Sequence, residues 1–337
     1  MRVAAFSEFT GPDGVSISTQ PTPEPERGEA VVSVEACAIN RHDLWVLEGD
    51  SAMVNADDLP FVSGLDVAGT VDAVGENVTG VEPGDRVVLC PNETCGTCRY
   101  CREGPENLCE NFSLYHGGLA EAARVQADRL VRLPDGVETV DAAALPTAYM
   151  TAFHMLRRIE AGAGDLVFVP GVTGGVGVAG VQLASALGAH SVGTSSSQAK
   201  LERVESLGLD YAIESTDPDE IRAAVTDIGT VDGVLNHLGG EYTQLGLDVL
   251  RRGGRMAVCG RTAGGTSEID IPDLFFGQKR IIGSTMGTQG DLERLIGLVA
   301  DGDLTPEIEG TYSLEETGAA FAAMQDRDSV GKLVVTP

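Results

Sequence analysis

Four thiols crowd one short stretch: Cys95-Gly-Thr-Cys98-Arg-Tyr-Cys101, followed after Arg-Glu-Gly-Pro-Glu-Asn-Leu by Cys109. Four thiolates suit a divalent zinc in a closed tetrahedral shell, which leaves no open position for water or substrate. The expected metal is therefore one structural Zn2+ per chain. A disulfide pair would need an oxidising compartment, and an iron–sulfur cluster is the other four-thiol solution. The spacing favours zinc over both. Cys37, Cys90 and Cys259 stand singly in apolar stretches and read as small buried hydrophobes rather than ligands or nucleophiles.

A second pattern begins where the apolar run Leu166-Val167-Phe168-Val169 ends. Gly171-Val172-Thr173-Gly174-Gly175-Val176-Gly177 follows it and leads into a helical pattern. A glycine loop that leaves a buried strand and opens a helix aims backbone N–H groups and a helix N-terminus at a pyrophosphate. Nucleotide binding is the expected consequence. At the end of the next strand, Ser191-Val192-Gly193-Thr194, an NAD site would carry an acid for the ribose 2′-hydroxyl. This chain has Thr194, Ser195, Ser196 and Ser197 there, with Lys200 and Arg203 one helical turn apart. Hydroxyls with nearby positive charge suit a 2′-phosphate, so the residues favour NADP(H).

The elements that must hold these groups fall into two textures. The first part of the chain has short β-branched runs such as Val31–Val34 and Thr70–Val74, punctuated by Pro83-Gly84-Asp85 and Pro134-Asp135-Gly136. From about Val140 strands and helices alternate. A helix is predicted over Asp141–Ile159, another over Gly177–Leu187, and strands over Val231–Leu235 and Arg255–Val258, the pattern of a parallel sheet with crossover helices. A helix over Leu314–Gln325 and a strand over Lys332–Val335 close the chain, and this last segment is expected to rejoin the first domain.

At 337 residues and 42% hydrophobic content the chain has room for two globular domains. Met1 leads straight into an alternating strand with no basic leader, and no apolar run approaches the roughly 18 residues of a membrane span. A cytoplasmic protein is expected. Asp and Glu number 51 against 23 Lys and Arg, a net charge of −28, and the only lysines are Lys200, Lys279 and Lys332. So acidic a surface disfavours nucleic acid and is best tolerated when salt shrinks the Debye length. The acids are dispersed, which fits halophilic adaptation better than an acidic docking patch.

With both motifs in place, the chain resembles the medium-chain dehydrogenase/reductase superfamily over essentially its full length. Gly64–Gly75 resembles the family's first signature, Pro83-Gly84-Asp85-Arg86-Val87 its barrel turn, and Gly117-Gly118-Leu119-Ala120-Glu121 the segment before the hinge. The resemblance implies an α/β protein with a GroES-like β-barrel catalytic domain, 1–135 and 275–337, carrying a zinc lobe at 90–112. A Rossmann NADP-binding domain, a doubly wound parallel sheet, would span 136–274. Substrate would lie in a cleft between them, and a homodimer or higher homo-oligomer would form, through strands near Ile269–Ser284.

The zinc alcohol dehydrogenases of that superfamily hold a second, catalytic zinc. At the matching positions this chain has Asn40, Leu65 and Thr147, with Asp66 in place of a glutamate. These are poor donors for zinc. The text around Ala38–Trp45 is similar to the zinc-independent branch, the quinone oxidoreductases and enone or enoyl reductases. The resemblance thus implies NADPH-dependent hydride transfer to a quinone or an α,β-unsaturated carbonyl. Two alternatives stand beside it: an alcohol or polyol dehydrogenase with metal on His42, Asp43 and Asp66, and a protein that binds NADPH without turnover.

By the same resemblance Asn40 would either donate its amide to the substrate carbonyl or cap the following helix. His42 would either relay a proton, with Asp43 orienting it, or simply be packed. Thr151, Cys259, Gly260, Ser284 and Met286 would lie at the nicotinamide end, with Thr285 between the last two. Trp45 would either wall the pocket or pack in the core.

Overall fold

The computed structural model describes all 337 residues. They form two units, Met1–Thr147 with Thr288–Pro337, and Ala148–Gly287. These boundaries lie later in the chain than the expected 135/136 and 274/275. The helix Thr139–Ala144 packs on the strands Glu29–Ala38 and Asp66–Val74 of the first unit, and the strand Arg280–Gly283 pairs with Leu250–Val258 in the second.

The first unit is built on a seven-stranded sheet. Its central strand, Glu29–Ala38, pairs antiparallel with Asp66–Val74, with Ala122–Gln126 and, near its end, with Lys332–Thr336. Residues that alternate along these strands, Val32, Val34, Val67, Val71, Leu333 and Val335 among them, bury one face in a common core. Phe6 and Phe321 meet edge to face in that core at 5.5 Å. Burying each such side chain contributes roughly 1.5–3 kcal/mol. Register then places the chemistry: Ala38 lies opposite both Val334 and Asp66, so Asn40, Asp66 and Lys332 gather at one end of three neighbouring strands.

One predicted helix is interrupted. Asp141–Ile159 is in fact a helix Thr139–Ala144, a π turn Leu145–Tyr149 and a helix Met150–Ile159. Pro146 is the cause, because it lacks the N–H that an α-helix would use and its ring crowds the preceding turn. The irregular turn carries Thr147 and contains the boundary between the two units.

The second unit is a six-stranded parallel sheet in the order Tyr211–Glu214, His190–Ser195, Leu166–Val169, Val231–Asn236, Leu250–Val258, Arg280–Gly283. Numbered along the chain this is 3-2-1-4-5-6, the doubly wound order in which ligands bind beyond the carboxyl ends of the strands where the order reverses. Leu166–Val169 and Val231–Asn236 flank that switch point. The glycine loop leaves the first of them, and His237 follows the second.

Candidate active site

In the first unit the two carboxylates nearest Asn40 are both fully buried and serve different partners. Asp66 is closed into a polar knot. Its Oδ1 accepts from the Thr147 N–H at 3.1 Å and the Thr147 hydroxyl at 2.5 Å; its Oδ2 accepts from Asn40 Nδ2 at 2.9 Å and Lys332 Nζ at 3.2 Å. Lys332, 3% exposed, also donates to the Ile39 carbonyl and to Asn40 Oδ1. Burial pushes the Asp66 carboxyl above its ordinary range, while Lys332, Thr147 and Asn40 pull it back. Four donors on four lone-pair positions leave this carboxylate saturated.

Asn40 has no donor to spare either. Its amide nitrogen serves the Ala38 carbonyl at 3.3 Å and Asp66, and its oxygen serves Lys332. The expectation that Asn40 would donate to a substrate carbonyl is therefore corrected: its amide is a strut of the buried knot. Its backbone stands at the N-cap of the helix Arg41–Leu47 and donates to Asp43 Oδ2 at 2.8 Å.

Asp43 looks the other way. Its Oδ1 accepts from the Ser63 hydroxyl at 2.5 Å and from the Gly64 N–H at 3.0 Å, and Ser63 Oγ in turn lies 3.3 Å from His116 Nδ1. The His116 ring packs 5.3 Å from that of His42 and edge-on to Phe61 at 5.0 Å. Burial pushes His116 down to about 4; Asp43 opposes that shift and His42 adds to it. The residue that Asp43 holds through Ser63 is thus His116, which sequence reasoning missed. Its only signal was a histidine in the Tyr115-His116-Gly117-Gly118 loop, and nothing local couples that loop to Ser63. Trp45, half-buried, lies on the same helix as His42 and Asp43.

In the second unit the glycine loop is tied to the neighbouring strand, with Gly171 N–H on Thr194 Oγ1 at 3.1 Å and Val172 N–H on the Thr194 carbonyl at 3.0 Å. Gly171 has φ +70°, and a side chain at Gly177 would strike the Gly171 carbonyl. Gly174 caps the helix Gly175–Ala186 with open space where its Cβ would stand, and Thr173 and Val176 flank it. A backbone cradle at a helix N-terminus with room above it fits a pyrophosphate. Thr194, expected at the cofactor site, is 2% exposed, and its hydroxyl braces the glycine loop by accepting the Gly171 N–H.

Next to this loop, Ser196 is exposed and Ser195 half-buried. Ser195 Oγ accepts the Ser197 N–H, and Ser197 caps the helix Gln198–Glu205 on the Lys200 N–H. An acid does reach this corner. Glu214, opposite Ser195 on the adjacent strand, accepts the Gln198 N–H at 3.1 Å. At the other side of the switch point Thr151 Oγ1 lies 3.9 Å from Met286 Sδ, Cys259 N–H donates to the Asn236 carbonyl, and Ser284 N–H to that of Val258. Burial pushes the Cys259 thiol up to about 12. Ser284 Oγ and His237 Nε2 are buried without a protein partner, open valences of the kind a bound nucleotide satisfies. His237, held by the Pro170 and Gly171 backbone and pushed down to about 4 by burial, was also missed.

The four cysteines converge as expected. None is in a disulfide, and their sulfurs all lie within 4.8 Å of one another, with Cys95–Cys101 and Cys98–Cys109 at 3.9 Å and Cys98–Cys101 at 3.5 Å. Tetrahedral Zn–S bonds of about 2.3 Å place sulfurs about 3.8 Å apart, so the set fits zinc closely. N–H groups of Cys95, Cys98 and Asn111 point at sulfur, and the Thr97 backbone and hydroxyl with the Cys98 N–H hold Cys95 down to about 5. Such donors favour thiolates.

Residues 26–135 match the alcohol dehydrogenase GroES-like domain, and residues 175–301 the zinc-binding dehydrogenase domain. An acryloyl-coenzyme A reductase of Sulfurisphaera tokodaii is 31% identical, covering 96% of this chain and 97% of that protein. The chain belongs to the medium-chain dehydrogenase/reductase superfamily. Other superfamily members are similar to it over their full length: an alcohol dehydrogenase of Geobacillus stearothermophilus at 29% identity, covering 99% of this chain and 98% of that protein, and a crystal structure of an NAD-dependent alcohol dehydrogenase at 32% identity and TM-score 0.90, covering 100% of both chains. The superfamily assignment makes the chain an NAD(P)-dependent oxidoreductase with a GroES-like and a Rossmann-type unit.

A catalytic zinc of the kind some superfamily members carry does not fit here. Leu65 is fully buried and has no donor atom, Asn40 and Thr147 offer only neutral oxygen or nitrogen already in use, and the ammonium of Lys332 sits on Asp66. The alternative set of His42, Asp43 and Asp66 is likewise not gathered. The four cysteines are the one group of three or more histidine, cysteine or acidic side chains whose ligand atoms converge. No helix is long and apolar enough to cross a membrane.

Proposed function

We propose that this chain is an NADP(H)-dependent reductase that transfers hydride to an α,β-unsaturated carbonyl compound or a quinone without a catalytic metal. The observation that carries the reading is the Lys332–Asp66–Asn40–Thr147 knot, a cation with its own counter-ion where a metal and its ligands would otherwise be. Alcohol oxidation must stabilise an alkoxide, for which a metal is worth several kcal/mol. Addition to a conjugated carbonyl disperses the charge, so orientation and a proton source carry more of the catalysis. A relative named as an acryloyl-coenzyme A reductase supports an activated alkene as acceptor.

Bound to the second unit, a reduced nicotinamide would supply the hydride. The chain's own residues do the rest in this reading. Gly171, Gly174, Gly175 and Gly177 admit and hold the pyrophosphate, Ser195, Ser196 and Lys200 receive the 2′-phosphate, and Thr151, Cys259, Gly260, Ser284 and Met286 shape the nicotinamide end. NADP(H) is preferred on the hydroxyls and cation that follow Thr194, against the opposing charge of Glu214. The four cysteines hold one structural zinc.

Two further properties belong to the proposal. The −28 net charge is a halophilic, cytoplasmic adaptation. A homodimer forms through the edge strand Arg280–Gly283 and the helix Ile271–Phe276, where Phe275 and Phe276 are 56% and 67% exposed. The test of function is oxidation of NADPH by enones, quinones and simple ketones in parallel, in high salt. Enone or quinone turnover with little ketone turnover is expected; turnover confined to alcohols and ketones would overturn the reading.

A further inference from the structure

We propose that the second unit binds a small carboxylate with an apolar body in a cavity at the end of its sheet opposite the nucleotide loop. The cavity has a volume of about 400 Å³, within the range of small-molecule sites. Thr230 and Lys279, which line it, immediately precede the strands Val231–Asn236 and Arg280–Gly283; Leu250 and Arg252, which also line it, open the strand Leu250–Val258. The glycine loop instead follows the last residue of a parallel neighbour, Leu166–Val169, so the two sites stand at opposite ends of one sheet. The inference goes beyond the proposed reduction and does not depend on it.

Strand register makes the concavity. Leu250 pairs with Val231 and Arg255 with Gly233, so residues 251–254 bulge out of the ladder between them. Gly253, at φ +73°, turns this bulge, and its N–H bonds the Gly277 carbonyl at 2.8 Å, which ties it to the end of the helix Ile271–Phe276. Lys279 adds a second tie. Its ammonium, on a side chain 6% exposed, donates to the Leu247 carbonyl at 2.6 Å and to both oxygens of Asp273 at 2.8 and 2.9 Å. The helices Tyr242–Val249 and Ile271–Phe276 and the strand bulge are therefore fastened around the space before any ligand enters, which lowers the ordering cost of binding.

The valences left open in this cavity are donors. Asp273 is committed to Lys279, and Asp248 accepts from Arg222 Nε at 2.7 Å and Gln244 Nε2 at 2.5 Å. Arg251 Nε is paired with Asp232. The Arg252 guanidinium, by contrast, is exposed and paired with no carboxylate. In a chain of 51 acids and 23 bases, a lining that carries Arg251, Arg252 and Lys279 against two neutralised acids reverses the surrounding field. A carboxylate lies in the plane of a guanidinium fork and takes two N–H bonds from it. Beside Arg252, the exposed ring of Phe276 and the side chains of Val249 and Leu250 offer apolar surface. A flat apolar body bearing a carboxylate uses both halves of the site, whereas a bare inorganic anion uses only the arginine. Phe276 also belongs to the proposed dimer face; Arg252 does not, so the charged half of the site is tested apart from dimerisation.

The test titrates 2-naphthoate into the full-length, zinc-loaded protein, with and without NADPH. Saturable binding by calorimetry is expected, with shifts in the backbone-amide NMR signals of Gly229, Thr230 and Gly253 and none in those of Gly171, Gly174 and Gly177. Arg252→Gln should weaken binding about tenfold, and Arg252→Lys less than that, because an ammonium keeps the charge and lacks the planar fork. Naphthalene-2-carboxamide, the neutral counterpart, and inorganic phosphate, which has no apolar body, should each bind about tenfold more weakly than the carboxylate. NADPH affinity should be the same in wild type and Arg252→Gln. No saturable binding up to about 10 mM would overturn the proposal. So would equal affinity in Arg252→Gln, equal binding of the carboxamide or of phosphate, or shifts confined to the glycine loop. Should Arg252→Gln not fold, the carboxamide comparison and the NMR map of the wild type decide the matter.

Discussion

Lys332 Nζ lies 3.2 Å from Asp66 Oδ2, the ammonium 3% and the carboxylate 0% exposed, and Asn40 bridges the two. The pair is separated by 266 residues and meets only because the last strand closes against Glu29–Ala38. A buried ion pair of this kind adds little net stability over an apolar pair, but losing one partner is costly. Lys332→Met is therefore expected to destabilise the protein by about 3–5 kcal/mol, and addition of Asp66→Asn to recover part of that loss. Denaturant unfolding of the wild type, the single and the double variants in molar salt reads both numbers; equal losses in single and double variants would show that the pair is not coupled.

Glu214 offers a test of the proposed NADP(H) preference. Its carboxylate caps the helix Gln198–Glu205 beside Ser195 and Ser196, where it would repel a 2′-phosphate. Glu214→Gln should tighten NADPH several-fold, a like-charge interaction of about 1 kcal/mol at a solvated site, and leave NADH nearly unchanged. Fluorescence titration of both nucleotides measures the difference. Equal effects on NADPH and NADH would place Glu214 away from the 2′ position.

Acid stability should be limited by two histidines. His116 and His237 are both held near 4 in the folded state, below the ordinary value of 6.5 that they recover on unfolding. Between those limits the unfolded chain binds more protons, so stability is intact above about pH 6.5 and falls as pH drops toward 4, by an amount on the order of a few kcal/mol for the pair. Thermal unfolding of the wild type and of His237→Gln from pH 7 to pH 4.5 checks it. The variant should lose less on acidification; an identical pH slope would assign the acid sensitivity elsewhere.

The proposed dimer has a focused test. Phe276, 67% exposed on the helix Ile271–Phe276 beside the free sheet edge, has no role in the nucleotide loop. Phe276→Asp should shift the protein to monomer in sedimentation or light scattering while NADPH binding persists. A wild-type protein that is already monomeric at micromolar concentration would contradict the proposed interface.

Two features of this molecule were readable from local text because their physics is local. The cysteines lie within one loop, and the glycines must follow a buried strand and open a helix, so spacing alone carries the signal. The absent acid after Thr194 was also visible, but Glu214 approaches the same corner from the next strand, and only the parallel register shows it. Asn40 shows the limit more sharply. A residue type compatible with substrate binding was judged by its neighbours in sequence, whereas its hydrogen bonds are spent on Lys332 and Asp66, far along the chain. His116 and Ser63 join for the same reason, through loop lacing that no periodicity reports. Pro146 could have warned of the broken helix, yet a proline alone does not say that a π turn will aim Thr147 at Asp66.

The central claim is that one zinc braces the protein and the chemistry proceeds without a second. Its most direct measurement is metal content by mass spectrometry on the purified, dialysed protein, coupled to NADPH oxidation with 2-cyclohexen-1-one before and after treatment with a chelator too weak to strip four thiolates. One zinc per chain, held by Cys95, Cys98, Cys101 and Cys109, with turnover unchanged by the chelator, is the predicted result. Two zincs per chain, with the weaker one required for turnover and restored by added metal, would contradict it.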